Sequence, residues 1–377
     1  MDATRSETDS RIDKRPASAG QFAGVYKVLQ DAIDSRAFPG CAFGVLSGGE
    51  VALSDGLGSF TYEHDAPVVE RHTVFDIASV TKVVSSTAIA MLLFQEGVLQ
   101  LDAPVGELLP GFIIGRANSE RARRVTLRNL LAHNSGLPGY VEFFRTATTS
   151  SALFRACLEL PIEAPPGERS EYSDPGFILL GKALEILNRD SLSGAARKGI
   201  FEPLGMSATR FRPARPQWQQ IPPTEIDDTF RHRVIQGEVQ DENAWVMDGV
   251  AGHAGLFSNV PDLLRFTAAV LAGYHDSQSE EPKLFQRETI EFFAERQGPL
   301  GSSRALGWDT PSAESSAGSH FSTHSIGHLG YSGCSLWIDL EASVGAVLLT
   351  NRTWSDRKNR AIRKVRPAFH DAVRESL

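Results

Sequence analysis

From Gln21 to Ile33 the apolar residues Phe22, Val25, Val28, Leu29 and Ile33 return at helical spacing, which predicts a helix. Gly40 to Leu46 and Val51 to Leu53 then predict two short strands joined by a tight turn at Gly48-Gly49. A nearly continuous apolar stretch from about Ser79 to Glu96, closed by Gly97, predicts a long helix with Asp76 as its N-cap. Leu127 to Leu131, Phe177 to Leu187, Pro261 to Leu271 and Phe285 to Glu295 carry further helical patterns, and the proline-rich Pro203 to Pro223 predicts irregular connection. Ser335 to Asp339 and Val344 to Thr350 are β-rich runs separated by a polar turn, and a helical pattern from Asp356 to Val373 ends the chain.

Strands near both ends with helices between them predict an α/β sheet interrupted by a mostly helical insertion. The expected division is a sheet domain from residues 20–99 and 250–377, a helical domain at 100–249, and an active site between them. Residues 1–19 are polar and charged and predict a disordered tail. They contain no apolar h-region, so no secretory signal is visible and a cytoplasmic location is expected.

The 377 residues carry a net charge of −8, which argues against a polyanionic nucleic-acid partner. Two segments oppose that balance, Arg121 to Arg128 and Arg352 to Arg366, and both predict solvated helix faces. The apolar run Val83 to Phe94 is interrupted by Ser85, Ser86 and Thr87 and is too short to span a bilayer. Cys41, Cys157 and Cys334 lack CxxC spacing, so small buried hydrophobes are expected rather than a disulfide or zinc framework.

Three short stretches carry candidate chemistry. Ser79-Val-Thr-Lys82 places a hydroxyl in the first turn of the predicted helix, where backbone N–H groups are unpaired, and an amine one turn later on the same face. A serine becomes a useful nucleophile when a neighbouring base takes its proton. Tyr172-Ser173-Asp174 precedes a helix; a tyrosine held against an ammonium can shuttle protons, while the bland alternative is a core aromatic beside a capping Asp174. Gly327-His-Leu-Gly-Tyr-Ser-Gly333 leads into a strand, and its glycines allow close backbone approach. An N–H from this segment, with that of Ser79, would supply the two donors an acyl-transfer oxyanion needs.

In this order the three stretches resemble the serine β-lactamase and penicillin-binding-protein superfamily, and most of all its class C branch with the related esterases and D-aminopeptidases. Ser79-Val-Thr-Lys82 matches S-x-x-K, Tyr172-Ser-Asp174 matches Y-x-N except at its third position, and His328-Leu-Gly330 stands where that family has K-T-G or H-x-G. Leu130-Leu-Ala-His133-Asn-Ser-Gly-Leu-Pro138 and Gly252-His253-Ala-Gly-Leu-Phe-Ser258 are similar to the family as well. The resemblance covers about residues 20 to 375. It implies an antiparallel sheet flanked by helices with a helical domain beside it, and acylation of Ser79 followed by hydrolysis. It also implies a base role shared by Lys82 and Tyr172, with an oxyanion hole from the N–H groups of Ser79 and Tyr331.

The departures shape the expected specificity. An ionised Asp174 only accepts hydrogen bonds, so either the substrate offers a donor or Asp174 binds Lys82 and leaves more of the base role to Tyr172. With His328 in place of lysine, the cation that would hold a substrate carboxylate is lost or becomes pH-dependent. Efficient β-lactamase activity is therefore a minor expectation. Asp174, His328, Gly330 and His253 are the expected substrate-binding residues; His133 is expected to be structural, and Trp245, Trp308 and Trp337 to be core or cleft-wall aromatics. His320, His324 and His328 recur every fourth residue, but their Ser- and Gly-rich surroundings argue against a metal-binding helix face. No phosphate loop or dinucleotide fingerprint occurs, so neither metal nor cofactor is expected. The leading expectation is a serine hydrolase of a small ester or amide. A muropeptide peptidase or amidase is second, and a non-catalytic ligand-binding module is the rival from another class.

Overall fold

A computed structural model describes residues 20–114, 119–275 and 283–377, so the expected disordered tail lies outside the described residues. The strands are β1 (Gly40–Ser47), β2 (Glu50–Gly58), β3 (Phe75–Asp76), β4 (Arg210–Phe211) and β5 (Glu225–Asp227). They continue with β6 (Arg233–Ile235), β7 (Leu256–Ser258), β8 (Ser325–Leu329), β9 (Ser335–Asp339) and β10 (Val344–Thr350). The helices that frame the site are α1 (Ala23–Asp34), α2 (Ala88–Gln95), α3 (Asp174–Asn188), α4 (Val260–His275) and α5 (Ile362–Glu375).

β2-β1-β10-β9-β8 form one antiparallel sheet in that order. The β1–β2 turn is built by Gly48 and Gly49 at φ +57° and +84°, the sense that matches the twist of a two-residue hairpin. Side chains alternate between two cores: on β10, Val347 and Leu349 face one and Ala346 and Leu348 the other, and on β9 Leu336 and Ile338 oppose Trp337. Burial on both faces explains why these strands read as unbroken apolar runs.

One face is covered by α1 and α5, where Phe43 of β1 meets Tyr26 and Phe369 edge-on. Each such buried aromatic contributes about 1.5–3 kcal/mol by leaving water. The other face carries α4, which sits close because a Cβ at Gly44 would lie 2.5 Å from Val260 and one at Gly345 2.1 Å from Thr267. Between residues 100 and 249 the chain is a succession of short helices with the longer α3, and β4–β6 interrupt it. β3 and β4 both pair with β7 in a small second sheet beside the segment that carries Ser79.

Several expectations change. The single helix expected from Ser79 to Glu96 is a 3-10 turn at Ala78–Val80, a π segment at Lys82–Thr87 and then α2. Asp76 belongs to β3 and its carboxylate reaches forward to the N–H of Ala78, so it caps the turn from two residues back without being the N-cap position. The cap of α3 is Ser173, whose Oγ accepts from the Gly176 N–H, and Asp174 is the first helical residue. α5 begins at Ile362 rather than Asp356. The β8 strand was hidden by its glycine. Ala78–Gln95 is 18 residues long and apolar enough to cross a membrane by length and composition, yet it is 78% buried inside the protein, as expected of a core helix apolar on all sides.

The two basic segments also differ. Arg128 makes a forked pair with the exposed Asp102, as a solvated face would. Arg352 and Arg366 are instead buried. Cys41, Cys157 and Cys334 are buried and form no disulfide. Trp308 and Trp337 are core residues, whereas Trp245 is partly exposed against Phe230.

Candidate active site

β3 delivers the chain into the turn that carries Ser79. Ala78, just before it, takes φ +47°, a left-handed conformation that a non-glycine residue keeps only when its surroundings impose it. Here the buried Asp76 carboxylate accepts from the Ala78 N–H at 2.8 Å and the Gln240 N–H at 2.7 Å. Burial nevertheless pushes its pKa up to about 6. Ser79 follows in the first turn, where its N–H has no intrahelical acceptor. Thr81 ties the same segment to β7 by accepting the Leu256 N–H, and Ser86 donates to the Gly252 carbonyl.

Lys82 is fully enclosed, and each of its three ammonium protons has an acceptor: Ser79 Oγ at 3.1 Å, Asp174 Oδ1 at 2.7 Å and the His253 carbonyl at 3.1 Å. Burial alone would lower its pKa, but the Asp174 carboxylate, with Tyr172, more than offsets this and holds the amine above the ordinary lysine value. Of the two alternatives open for Asp174, the structure adopts the pairing with Lys82.

The phenol of Tyr172 faces both Ser79 and Lys82, each of which favours its ionised form, while the stronger influence of burial keeps its pKa above the usual tyrosine value. Its ring is packed on several sides: the Lys82 ammonium lies 4.7 Å and the Arg304 guanidinium 5.1 Å from its centroid, and the rings of His133 and His328 lean against it, tilted, at 4.6 and 5.8 Å. The loop 133–139 sets this stretch in place. His133 Nδ1 accepts the Ser173 N–H, the His133 carbonyl accepts the Glu171 N–H, Ser173 donates to the Pro138 carbonyl, and the Asp174 N–H donates to Gly139. The segment around His133 is therefore a cradle for Tyr172, in line with the structural role expected for that histidine.

His253 does not present its ring to the cleft. Its side chain is fully buried with Nε2 2.9 Å from Asp241 Oδ1, so the expected substrate contact is replaced by a backbone one, the carbonyl that receives Lys82. Asp241, which sequence reasoning passed over, is drawn down to about 2 against its burial by the His253 ring.

His328 lies on β8 and is buried, with Nδ1 2.8 Å from the Leu329 carbonyl; a carbonyl only accepts, so this nitrogen carries the proton. Burial, then Lys82 and Arg304, push its pKa well below the usual histidine value. Of the two alternatives open for His328, the cation is lost: the ring is neutral at physiological pH, with Nε2 enclosed beside Tyr172 and unpartnered. Arg304 is the partly exposed cation in this neighbourhood, 3.6 Å from Asp309 and likewise unforeseen. His320 and His324 approach Glu375 and Glu341, away from His328 on β8, and no metal-holding group of three or more His, Cys, Asp or Glu occurs among the described residues.

Gly330 is present for closeness: a Cβ there would sit 2.5 Å from the Ile77 carbonyl oxygen, so the turn after β8 abuts the segment that leads to Ser79. Within this turn Gly330 N–H donates to Cys334 and Gly333 N–H to Gly330. Tyr331 follows with a half-exposed ring, over which the Arg352 guanidinium lies at 4.4 Å. None of the long-range partners Asp241, Arg304, Arg352 and Arg366 stands near a motif in the chain, and the tertiary fold alone brings them in.

Comparison with known proteins adds a pattern match and relatives. A model of the β-lactamase family matches residues 25–368. The chain is 28% identical to an N-acetylmuramyl-L-alanine amidase of Bacillus subtilis over 345 residues, covering 84% of this chain and 77% of that protein. It is 31% identical to a putative D-alanyl-D-alanine carboxypeptidase of Escherichia coli over 311 residues, covering 75% of this chain and 70% of the relative. Among solved structures, EstCE1, a hydrolase with promiscuous acyltransferase activity, superposes with a TM-score of 0.76 at 22% identity, covering 94% of this chain and 99% of its own.

Proposed function

We propose that this chain, which belongs to the β-lactamase family and is a serine hydrolase, cleaves a small ester or amide through an acyl-enzyme on Ser79. The observation that carries the reading is the contact of Ser79 Oγ with Lys82 Nζ at 3.1 Å, with the Tyr172 phenol facing both.

Burial works against the Lys82 charge, but the Asp174 carboxylate at 2.7 Å outweighs it and keeps the amine protonated, and an ammonium has no lone pair for the serine proton. This supports Tyr172 as the carrier. As Ser79 Oγ bonds to the substrate carbonyl carbon, its proton passes to the Tyr172 oxygen, and the proton of Tyr172 passes to the leaving alcohol or amine. The carbonyl oxygen becomes an oxyanion that the N–H groups of Ser79 and Tyr331 receive. It collapses as the bond to the leaving group breaks. Water then attacks the acyl carbon, its proton returning through Tyr172 to Ser79 Oγ. The ammonium of Lys82 stabilises the developing charge on Ser79 and Tyr172 throughout.

Two relatives support a narrower second reading, a cell-wall amide or peptide as substrate, because one is named for a muramyl-alanine amidase activity and the other for a carboxypeptidase on D-alanyl-D-alanine. A fluorophosphonate is expected to label Ser79 alone, as mapped by mass spectrometry. Ser79→Ala is expected to lower turnover of a short-chain nitrophenyl ester at least about a hundredfold. Equal activity of the variant and the wild type would end the proposal. Comparing that ester with a muramyl-L-alanine peptide on the same preparation separates the two substrate readings.

A further inference from the structure

The turn that carries Tyr331 is held from behind by two buried arginines with no acid between them. Arg366, on α5, donates Nε to the Gly333 carbonyl at 3.1 Å and Nη2 to the carbonyls of Gly330 at 2.5 Å and Cys334 at 2.9 Å. Arg352 donates Nε to the Tyr331 carbonyl at 2.8 Å and Nη1 to those of Arg357 and Asn359. Both side chains belong to residues only 7% exposed. Among the described residues, neither has a carboxylate in ion-pair reach. Taking an unpaired cation out of water is costly. Two of them beside each other repel as well: burial first, then Arg352, bring Arg366 down to about 10, so it still carries its charge at neutral pH.

The bonded carbonyls show what this arrangement does. In a trans peptide the C=O and N–H point in opposite directions. The peptide whose oxygen rests on Arg366 Nη2 is the one that joins Gly330 to Tyr331, so holding the Gly330 oxygen toward α5 turns the Tyr331 N–H the other way. Gly330 itself abuts the carbonyl of Ile77, two residues before Ser79. A charge-assisted bond to the oxygen also polarises the peptide and strengthens its N–H as a donor. The positive charge has no counter-ion to quench it before it acts on a developing oxyanion.

We propose that Arg366 is a positioning residue that aims and polarises the Gly330–Tyr331 peptide as the oxyanion donor, with Arg352 fixing the next peptide of the same turn. This rests on the reading of Ser79 as nucleophile and Tyr331 N–H as donor. The role is electrostatic and acts through the backbone, so it is felt in the transition state and little in ground-state binding.

The test uses the full chain, active sites counted by fluorophosphonate titration, and two readouts: kcat and KM on nitrophenyl acetate, and inhibition by phenylboronic acid, whose adduct on Ser79 is a tetrahedral anion. Arg366→Met is expected to lower kcat per titrated site about thirtyfold with KM within about threefold, and to weaken the boronate by a similar factor; loss of a direct oxyanion donor costs more, about 10²–10³. Arg366→Lys, which keeps the charge but not the fork, is expected to recover part of both, and carries the test if the methionine variant does not fold. Unchanged kcat per titrated site in the variants that fold, or a lowered kcat with unchanged boronate affinity, overturns the proposal. A wild-type protein whose Ser79 is not labelled overturns the nucleophile assignment and this inference with it; labelled Ser79 with unaltered Arg366→Lys kinetics overturns this inference alone.

Discussion

Lys82 and Arg366 are both buried cations, one on each flank of the Ser79 turn, and the chain treats them in opposite ways. Around Lys82 the charge is matched: Asp174 is in direct contact at 2.7 Å, and the Asp241–His253 pair stands behind it. Around Arg366 the acceptors are all backbone carbonyls. A compensated cation keeps its proton and its place but projects little field, which suits a group that organises a hydroxyl and a phenol. An uncompensated one is expensive to bury and projects its field into the surroundings, which suits a turn that must receive negative charge. In the proposed mechanism, two cations of the same sign thus divide proton handling from charge stabilisation.

The comparison can be broken most forcefully on the proton-handling flank. Lys82→Met removes the ammonium from Ser79 and leaves the partly buried Asp174 carboxylate without its partner. Turnover of a nitrophenyl ester per folded molecule is expected to fall by about a thousandfold or more, the scale for members of one catalytic unit. A loss of less than tenfold would mean that Tyr172 works without it. On the opposite flank, Gly330→Ala leaves every charge in place and adds one methyl where the nearest atom is backbone oxygen at 2.5 Å. The turn must retreat from Ser79, and kcat is expected to fall about a hundredfold, the scale of a misplacement near 1 Å. Unchanged kcat would show that the separation of turn and nucleophile does not matter.

The mildest variant sharpens the contrast by making Lys82 resemble Arg366. Asp174→Asn removes the strongest influence that raises the Lys82 pKa and leaves burial, which lowers it. The amine then gives up its proton at a lower pH than in the native protein. If the ammonium is the active form, the alkaline limb of kcat/KM moves toward lower pH by about one unit, while the rate at its optimum drops by about tenfold or less. A pH–rate profile measures both. A limb that stays in place would show that Asp174 does not hold the proton on Lys82.

How legible the molecule was depended on the range of the interactions. The β1–β2 and β9–β10 strands, α1 and the short helix at Leu127–Leu131 follow from local periodicity and turn glycines, and the chain states them openly. Ser79, Lys82 and Tyr172 stand out because short spacings place them, and the fold brings all three together. The π segment at Lys82–Thr87 did not announce itself, since an apolar run has the same composition whether its turns are tight or wide. His253 misled for a related reason. Residue type says what a ring can do, while burial and the first hydrogen bond decide which of those things it does. The basic run from Arg352 to Arg366 shows the same limit, because charge density in the chain does not reveal that two of its members point inward to bare carbonyls.

Gly330 meets Ile77 with no space for even one carbon between them. In the proposed mechanism the N–H groups of Ser79 and Tyr331 therefore form a single stiff jaw, preset before any visitor arrives and unable to close further around it. Discrimination among visitors then falls to groups outside the jaw, such as the partly exposed head of Arg304 beside the Tyr172 ring.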